Sequence, residues 1–219
     1  MGSIIFNKCN RMLELLHIRP TMIKIPFDSD SSGGNGYRNY LAGNELDQYV
    51  ECSGKTSTKE DLNNTISIAV KLAAYSGLRV SEIAKVKAED RFKPDDGRGF
   101  MLKVREGKGK RYRETVLHPQ MEYADFKLVH GKAGVTFKRW ADRVNKKYVE
   151  THGDEDFKKV TFHDLRRSFI TRLIEDGANP QYVMSLSGHK STDVFYKHYV
   201  NVGSPEFAAK ERLKSDWLN

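Results

Sequence analysis

Between Thr58 and Gly77 the chain encodes a helix that is apolar over most of its circumference. Ile66, Ile68, Ala69, Val70, Leu72, Ala73 and Ala74 leave it little polar surface, whereas a helix at a protein surface carries a single apolar stripe. Such a helix has to be enclosed by other elements, so the pattern predicts a domain packed around a central helix. Thr58 followed three residues later by Asp61 predicts a capping-box start. Gly77 marks the end, because glycine adopts the left-handed conformation that closes a helix.

The elements expected around it are mostly helical. A short helix is predicted over 44–51 and another over 80–85. Two strands, FMLKVR at 100–105 and YRETVL at 112–117, flank the basic, glycine-rich turn Glu106-Gly107-Lys108-Gly109-Lys110-Arg111. Helical structure resumes from Pro119, and a basic helix over 135–149 surrounds Trp140. Thr161 and Asp164 form a second capping box, opening a helix that stops at Gly177. Pro180 opens the next, which closes at Ser187-Gly188. A helix over 192–200 and a last one from Ser204 complete the pattern. The fold class is α+β, mainly α-helical, with one small antiparallel β-sheet. The small, polar run DSDSSGGNG at 28–36 reads as a linker. Residues 1–36 are therefore an N-terminal extension and linker, and residues 37–219 the main domain with a C-terminal tail helix.

Charge narrows the function. Across 219 residues, 37 Lys and Arg against 29 Asp and Glu leave a net charge of +8, which points to a polyanionic partner, nucleic acid first. No apolar run has the length of a membrane-spanning helix, and no secretory signal core is present. Cys9 and Cys52 form no CxxC pair, and no His/Cys cluster has zinc-ligand spacing. Nucleotide-binding loops, HExxH and GxSxG are absent as well. A protein of the cytoplasm with no membrane partner, no metal and no cofactor is expected.

Basic residues stand at element boundaries. Arg79 follows the central helix directly, with Glu82 three residues on, where it can pair with it. Lys108 sits between two glycines in the hairpin turn. His163 and Arg166 lie three apart on the first turn of a capped helix, where the helix N-terminus adds attraction for an anion. His189 follows Gly188, and Tyr196 and Tyr199 come close behind in VFYKHYV.

The order Arg79, Lys108, His163-x-x-Arg166, His189, tyrosine resembles the catalytic set of the tyrosine recombinase (phage integrase) family. The strings GLRVSE, GKGK, HDLRRSF and GH followed by tyrosine carry the likeness, which covers about residues 40–219. It implies a site-specific DNA recombinase or integrase that cleaves and rejoins strands through a 3′-phosphotyrosyl intermediate. Arg79, Arg166 and histidine would clamp the phosphodiester, whose nonbridging oxygens gain charge in the transition state. Lys108 would be the general acid for the departing 5′ oxygen. In the family the nucleophile usually falls where His198 stands. Tyr199 is one residue beyond it and Tyr196 two before, so the smaller offset favours Tyr199, and KHYV is similar to the ending of some archaeal viral integrases. Tyr196-Lys197-His198 is similar to the common Tyr-x-His and keeps Tyr196 open. Arg167 replaces a histidine frequent in the family and is read as a non-catalytic change.

The family also usually has a helical DNA-binding domain ahead of the catalytic one, and the residues before 37 are too few for it. Lys103, Arg105, Lys110, Arg111, Lys138, Arg139 and Arg143 are candidate DNA contacts, with Arg113 in the same basic stretch. The expected partner is double-stranded DNA at attachment sites. A homo-tetramer is expected on DNA, and a monomer or weak dimer free. The tail after Ser204, with Phe207, Leu213, Trp217 and Leu218, would dock on a neighbouring protomer. A type IB topoisomerase-like DNA relaxation and an inactive DNA-binding regulator of the same fold are the rival readings.

Overall fold

The enclosed helix forms and is enclosed as its pattern demands. In the computed structural model, which describes residues 40–199 apart from 42–43, 96, 98, 106–111, 154–156 and 158, α1 spans Asn44–Ser53 and α2 spans Glu60–Ser76. Ile66, Ala69, Val70, Leu72 and Ala73 of α2 are fully buried. The short α3 (Val80–Ile83) follows, then β1 (Arg91–Phe92), β2 (Phe100–Val104) and β3 (Arg113–Leu117). The long α4 (Gly134–His152), α5 (Phe162–Glu175), α6 (Pro180–Ser187) and α7 (Thr192–Tyr199) complete the described fold. No helix among the described residues is long and apolar enough to cross a membrane.

Helix α2 packs against α1 on one side and α5 on another, with β3 across its end. The sheet is antiparallel in the order β1-β2-β3, pairing Leu102 with Thr115 and Val104 with Arg113. Alternation sends Leu102, Val104, Thr115 and Leu117 inward. The Thr115 hydroxyl donates to the Ser76 carbonyl at 2.8 Å, tying the sheet to the last turn of α2. On the opposite side α4 buries Phe137, Trp140, Val144 and Tyr148. Its buried Asn145 amide spans the gap to the strand-like approach of α5: it donates to the Val160 carbonyl and accepts from the Val160 N–H, both at 3.0 Å. A second apolar cluster, Phe169, Ile170, Val183 and Phe195, joins α5, α6 and α7.

Local signals were followed at some boundaries and overruled at others. The Thr161–Asp164 box forms as expected, with Asp164 accepting from the Thr161 N–H at 2.9 Å. The Thr58–Asp61 box does not. Helix α2 begins at Glu60 behind Lys59, which makes no side-chain cap. The Ser57 hydroxyl takes the Lys59 N–H, and the Asn63 amide donates back to the Ser57 carbonyl, so the turn closes one residue later than Thr58 requires. Strand β1 was not anticipated, since two residues are too few to display alternation. The helical run expected from Pro119 consists of two short 3-10 turns, Pro119–Met121 and Phe126–Leu128. The basic hairpin turn and the helix from Ser204 lie outside the described residues.

Gly77 ends α2 with φ 65°, and the following Leu78 N–H reaches back to Leu72. A Cβ there would stand 2.4 Å from the Phe169 ring of α5. Gly77→Ala therefore combines a left-handed alanine with a clash at the contact between α2 and α5. It should cost about 2–4 kcal/mol and lower Tm by roughly 5–15 °C. A denaturant midpoint equal to that of the parent would show that α5 does not press on this turn.

Candidate active site

The site is assembled around Glu82. This residue is the third of α3, and its side chain is 1% exposed. Its Oε1 accepts from Arg79 Nη1 at 2.9 Å. Its Oε2 accepts from the Arg79 backbone N–H at 2.8 Å and from Arg113 Nη2 at 2.6 Å. Arg166 Nη1 stands 3.8 Å from the same oxygen. Burial alone would raise this carboxyl. Arg113, the Arg79 N–H and the charges of Arg79 and Arg166 outweigh it and hold Glu82 below the ordinary carboxylate range.

Arg166 is gripped by helix ends. Its guanidinium donates to the carbonyl of Gly77, which closes α2, and to that of Ser187, the last residue of α6. Helix C-termini carry partial negative charge, so both are suited to a cation. Burial, then repulsion from Arg79, pushes Arg166 down to about 9, which leaves it charged at neutral pH. Arg79 is more open, with 27% of its side chain exposed, and its Nη2 reaches the Gly188 carbonyl at 3.5 Å. Gly188 has φ 69°, and a Cβ there would stand 2.8 Å from Arg113. The turn that places His189 thus has room for glycine alone.

His189 lies beside this cluster. Burial first, then the charges of Arg166 and Arg79, lowers its pKa to about 4, so the ring is neutral at pH 7. Its Nδ1 is 2.8 Å from the Ser187 hydroxyl, whose own hydrogen goes to the Val183 carbonyl at 2.7 Å. With the serine hydrogen committed, Nδ1 is the donor and Nε2 is left as an acceptor. The Tyr199 ring is centred 5.5 Å from the His189 ring, and its hydroxyl is close enough to affect the Arg166 charge. Tyr196 packs beside Phe195, with ring centres 6.3 Å apart. His163 is exposed at the start of α5 and shares a surface cavity with Arg79, Ser81, Lys132 and Arg166.

The structure thus gathers Arg79, His163, Arg166, His189 and Tyr199 into one region. Lys108, Lys110 and Arg111 lie outside the described residues. Lys103 sits over the Phe92 ring at 4.9 Å, and Arg105 is ion-paired to Asp90. Lys138, Arg139 and Arg143 stand exposed on α4. Arg113 departs from the reading of it as a DNA contact. Its side chain is 9% exposed and is committed to Glu82 and to the Leu186 carbonyl. The Glu82–Arg79 pair is visible in the sequence spacing. The roles of Glu82 as partner of three arginines, of Arg113, and of Ser187 carry no local signal, because their partners are distant in sequence or depend on a tautomer.

The sequence model of the phage integrase family matches residues 39–204. Tyrosine recombinase XerD of Lacticaseibacillus casei is 30% identical over 183 residues, covering 74% of this chain and 58% of that protein. Tyrosine recombinase XerA of Thermococcus kodakarensis is 27% identical over 163 residues, covering 63% and 55%. The chain therefore spans little more than half the length of these curated relatives. Among solved structures, XerH site-specific recombinase bound to its difH substrate superposes with a TM-score of 0.61 at 18% identity, covering 82% of this chain and 54% of that one. The catalytic domain of bacteriophage HP1 integrase gives 0.53 at 15% identity, covering 82% and 95%. The shared feature in these two cases is the fold.

Glu82→Gln tests the centre of the site. It leaves buried guanidiniums without their counter-charge and should destabilise the domain by about 3–5 kcal/mol at pH 7. Because the folded pKa of Glu82 is depressed, the stability it contributes is present above the unfolded carboxyl pKa. That contribution is lost as pH falls through the folded one. The gap between parent and variant should therefore narrow in acid, measured by denaturant melts across pH. A gap that does not change with pH would mean that the Glu82 charge is not what holds the arginines.

Proposed function

The chain belongs to the phage integrase family, and on that premise we propose that it is the catalytic part of a site-specific DNA recombinase, or integrase, acting through a phosphotyrosyl intermediate. Tyr199 is the nucleophile. Its phenolic oxygen attacks the scissile phosphorus, the new P–O bond to tyrosine forms, and the P–O5′ bond breaks. The phenol proton passes to Nε2 of neutral His189. The departing 5′ oxygen receives a proton from Lys108 and leaves as a hydroxyl. Attack by a 5′-hydroxyl from the partner strand reverses the step and regenerates the tyrosine. The phosphodiester bond energy is kept in the protein–DNA link, so neither a nucleotide nor another cofactor is required.

Arg79 and Arg166 hold the nonbridging oxygens as charge accumulates on them. Carbonyls occupy part of the Arg166 fork, fixing its plane and leaving its other N–H groups for a phosphate. His163, at the exposed start of α5, adds a donor. The observation that carries this reading is the convergence of Arg79, Arg166 and His189 on a region where the Tyr199 ring lies 5.5 Å from the histidine. A phenol has an ordinary pKa of about 10 and needs such an acceptor and such a field.

The substrate is double-stranded DNA at an attachment site, in the cytoplasm. Lys103, Arg105, Lys110, Arg111, Lys138, Arg139 and Arg143 supply backbone contacts. Assembly is a tetramer on DNA and a monomer or weak dimer without it, with the tail after Ser204 docked on a neighbour. Residues 1–36 are an extension and linker ahead of the catalytic domain.

The test is covalent capture on a nicked duplex whose core site is recovered by binding selection from random-sequence DNA. The parent should form a protein–DNA adduct. Tyr199→Phe should form none, and Tyr196→Phe should still form one. Arg79→Ala and Arg166→Ala should each slow capture by about a hundredfold or more. A 5′-thiol leaving group should rescue Lys108→Ala and leave Arg166→Ala slow. Adducts from both tyrosine variants would overturn the reading.

Binding to the same duplex should weaken steeply with salt, since basic residues displace counterions from phosphates. In sedimentation the free chain should run no larger than a dimer, and paired sites should bring it to four copies. A flat plot of log affinity against log salt, or a free tetramer, would refute this part of the proposal.

A further inference from the structure

Arg167 follows Arg166 on α5 and is equally buried, at 4% exposure. Consecutive residues of a helix point about 100° apart. Arg166 turns to Glu82 and the helix-end carbonyls, whereas Arg167 turns to α7. Its guanidinium carbon lies 5.7 Å from the centre of the Tyr199 ring. The ring is boxed on other sides by Phe195, 5.1 Å away and itself fully buried, and by His189 at 5.5 Å. The Arg167 charge also reaches the hydroxyl of Tyr40, where the chain enters the domain. For packing alone an aliphatic side chain would fill this position without the desolvation of a permanent cation. A cation over an aromatic face is instead attracted to it, more strongly when water is excluded.

We propose that Arg167 is a positioning residue for the nucleophile, its guanidinium lying over Tyr199 to hold the ring beside His189 and to favour the ionised phenol. The proposal rests on the reading of Tyr199 as nucleophile. Charged and titratable groups around that phenol include Arg166 and Arg167 of α5, His189 from the loop after α6, and His198 of its own helix. Arg166 is already committed to the carbonyls and Glu82, so Arg167 is the cation placed on the ring itself. The residue following the second catalytic arginine, read from sequence as non-catalytic, thereby acquires a part in the reaction.

The experiment measures adduct formation by the full chain on the selected nicked duplex as a function of pH. Arg167→Met should form the adduct about tenfold more slowly at pH 7, with its pH profile displaced to higher pH. Arg167→Lys, which keeps the charge and loses the planar guanidinium, should be slower than the parent while keeping its profile. Replacing Tyr199 by 3-fluorotyrosine, a more acidic phenol, should restore the Met variant at pH 7. Thermal melts verify folding, and Arg167→Gln takes the place of the Met variant if the latter does not fold. A neutral variant that is slowed equally at every pH, is not rescued by fluorination, or matches the parent would overturn the proposal and leave Arg167 a packing residue. Adduct formation by Tyr199→Phe would instead remove the nucleophile assignment on which it rests.

Discussion

A single buried carboxylate gathers the arginines of the candidate site. Glu82 meets Arg79, Arg113 and Arg166, which come from the start of α3, from β3 and from α5. Three guanidiniums against one carboxylate leave two positive charges uncompensated. A structural ion cluster would gain from a second acid. This one keeps an excess that an anion can complete, and the residues still open to solvent are those at its edge, Arg79 above all. Desolvation makes the cluster weak as a source of stability. Its value lies in fixing cations on elements that are themselves held by the apolar core.

That core and the site meet at helix ends. Gly77 closes α2 and offers its carbonyl to Arg166, and Ser187 closes α6 and offers another. The unsatisfied carbonyls that every helix leaves at its C-terminus thus become the fixed half of a guanidinium clamp. The Phe169 ring pressed on Gly77 and the Arg113 side chain pressed on Gly188 set how near the two ends come to α5 and β3. Shape and charge are therefore coupled: moving either turn would misplace Arg166 or His189 along with the packing.

What the sequence made legible follows from range. The enclosed α2, its glycine stop, the Thr161–Asp164 cap, the Pro180 start and the two main strands rest on neighbours a few residues apart, and all of them form. The same reasoning misplaced the start of α2, because the hydroxyl of Ser57 and the amide of Asn63 competed locally with Thr58. For the site, the resemblance named residues that the fold brings together, including Arg79, Arg166 and His189. Arg113 was misread because its partner is 31 residues away and only the sheet register reveals it. Glu82 was seen as a mate for Arg79 and missed as the hub, since spacing displays pairs and conceals convergence. Arg167 showed in the sequence only as a departure from the family's histidine, since the ring it faces belongs to a later helix.

The field that fixes the arginines also governs the histidine. His189 is neutral because burial and the nearby cations Arg166 and Arg79 oppose its protonation, and its bond to Ser187 leaves Nε2 as the acceptor. With His189 as the proposed base, a ring that already carried a proton could not take one from tyrosine, so low proton affinity keeps it ready. The same depression would make it a poor base if it persisted. A phosphate held between Arg79 and Arg166, as proposed, would bring negative charge against the groups that suppress protonation and cancel part of the suppression. On the proposed reading, with Tyr199 as nucleophile, proton affinity at Nε2 would rise with substrate in place, which would tie deprotonation of the tyrosine to the presence of the bond that it attacks.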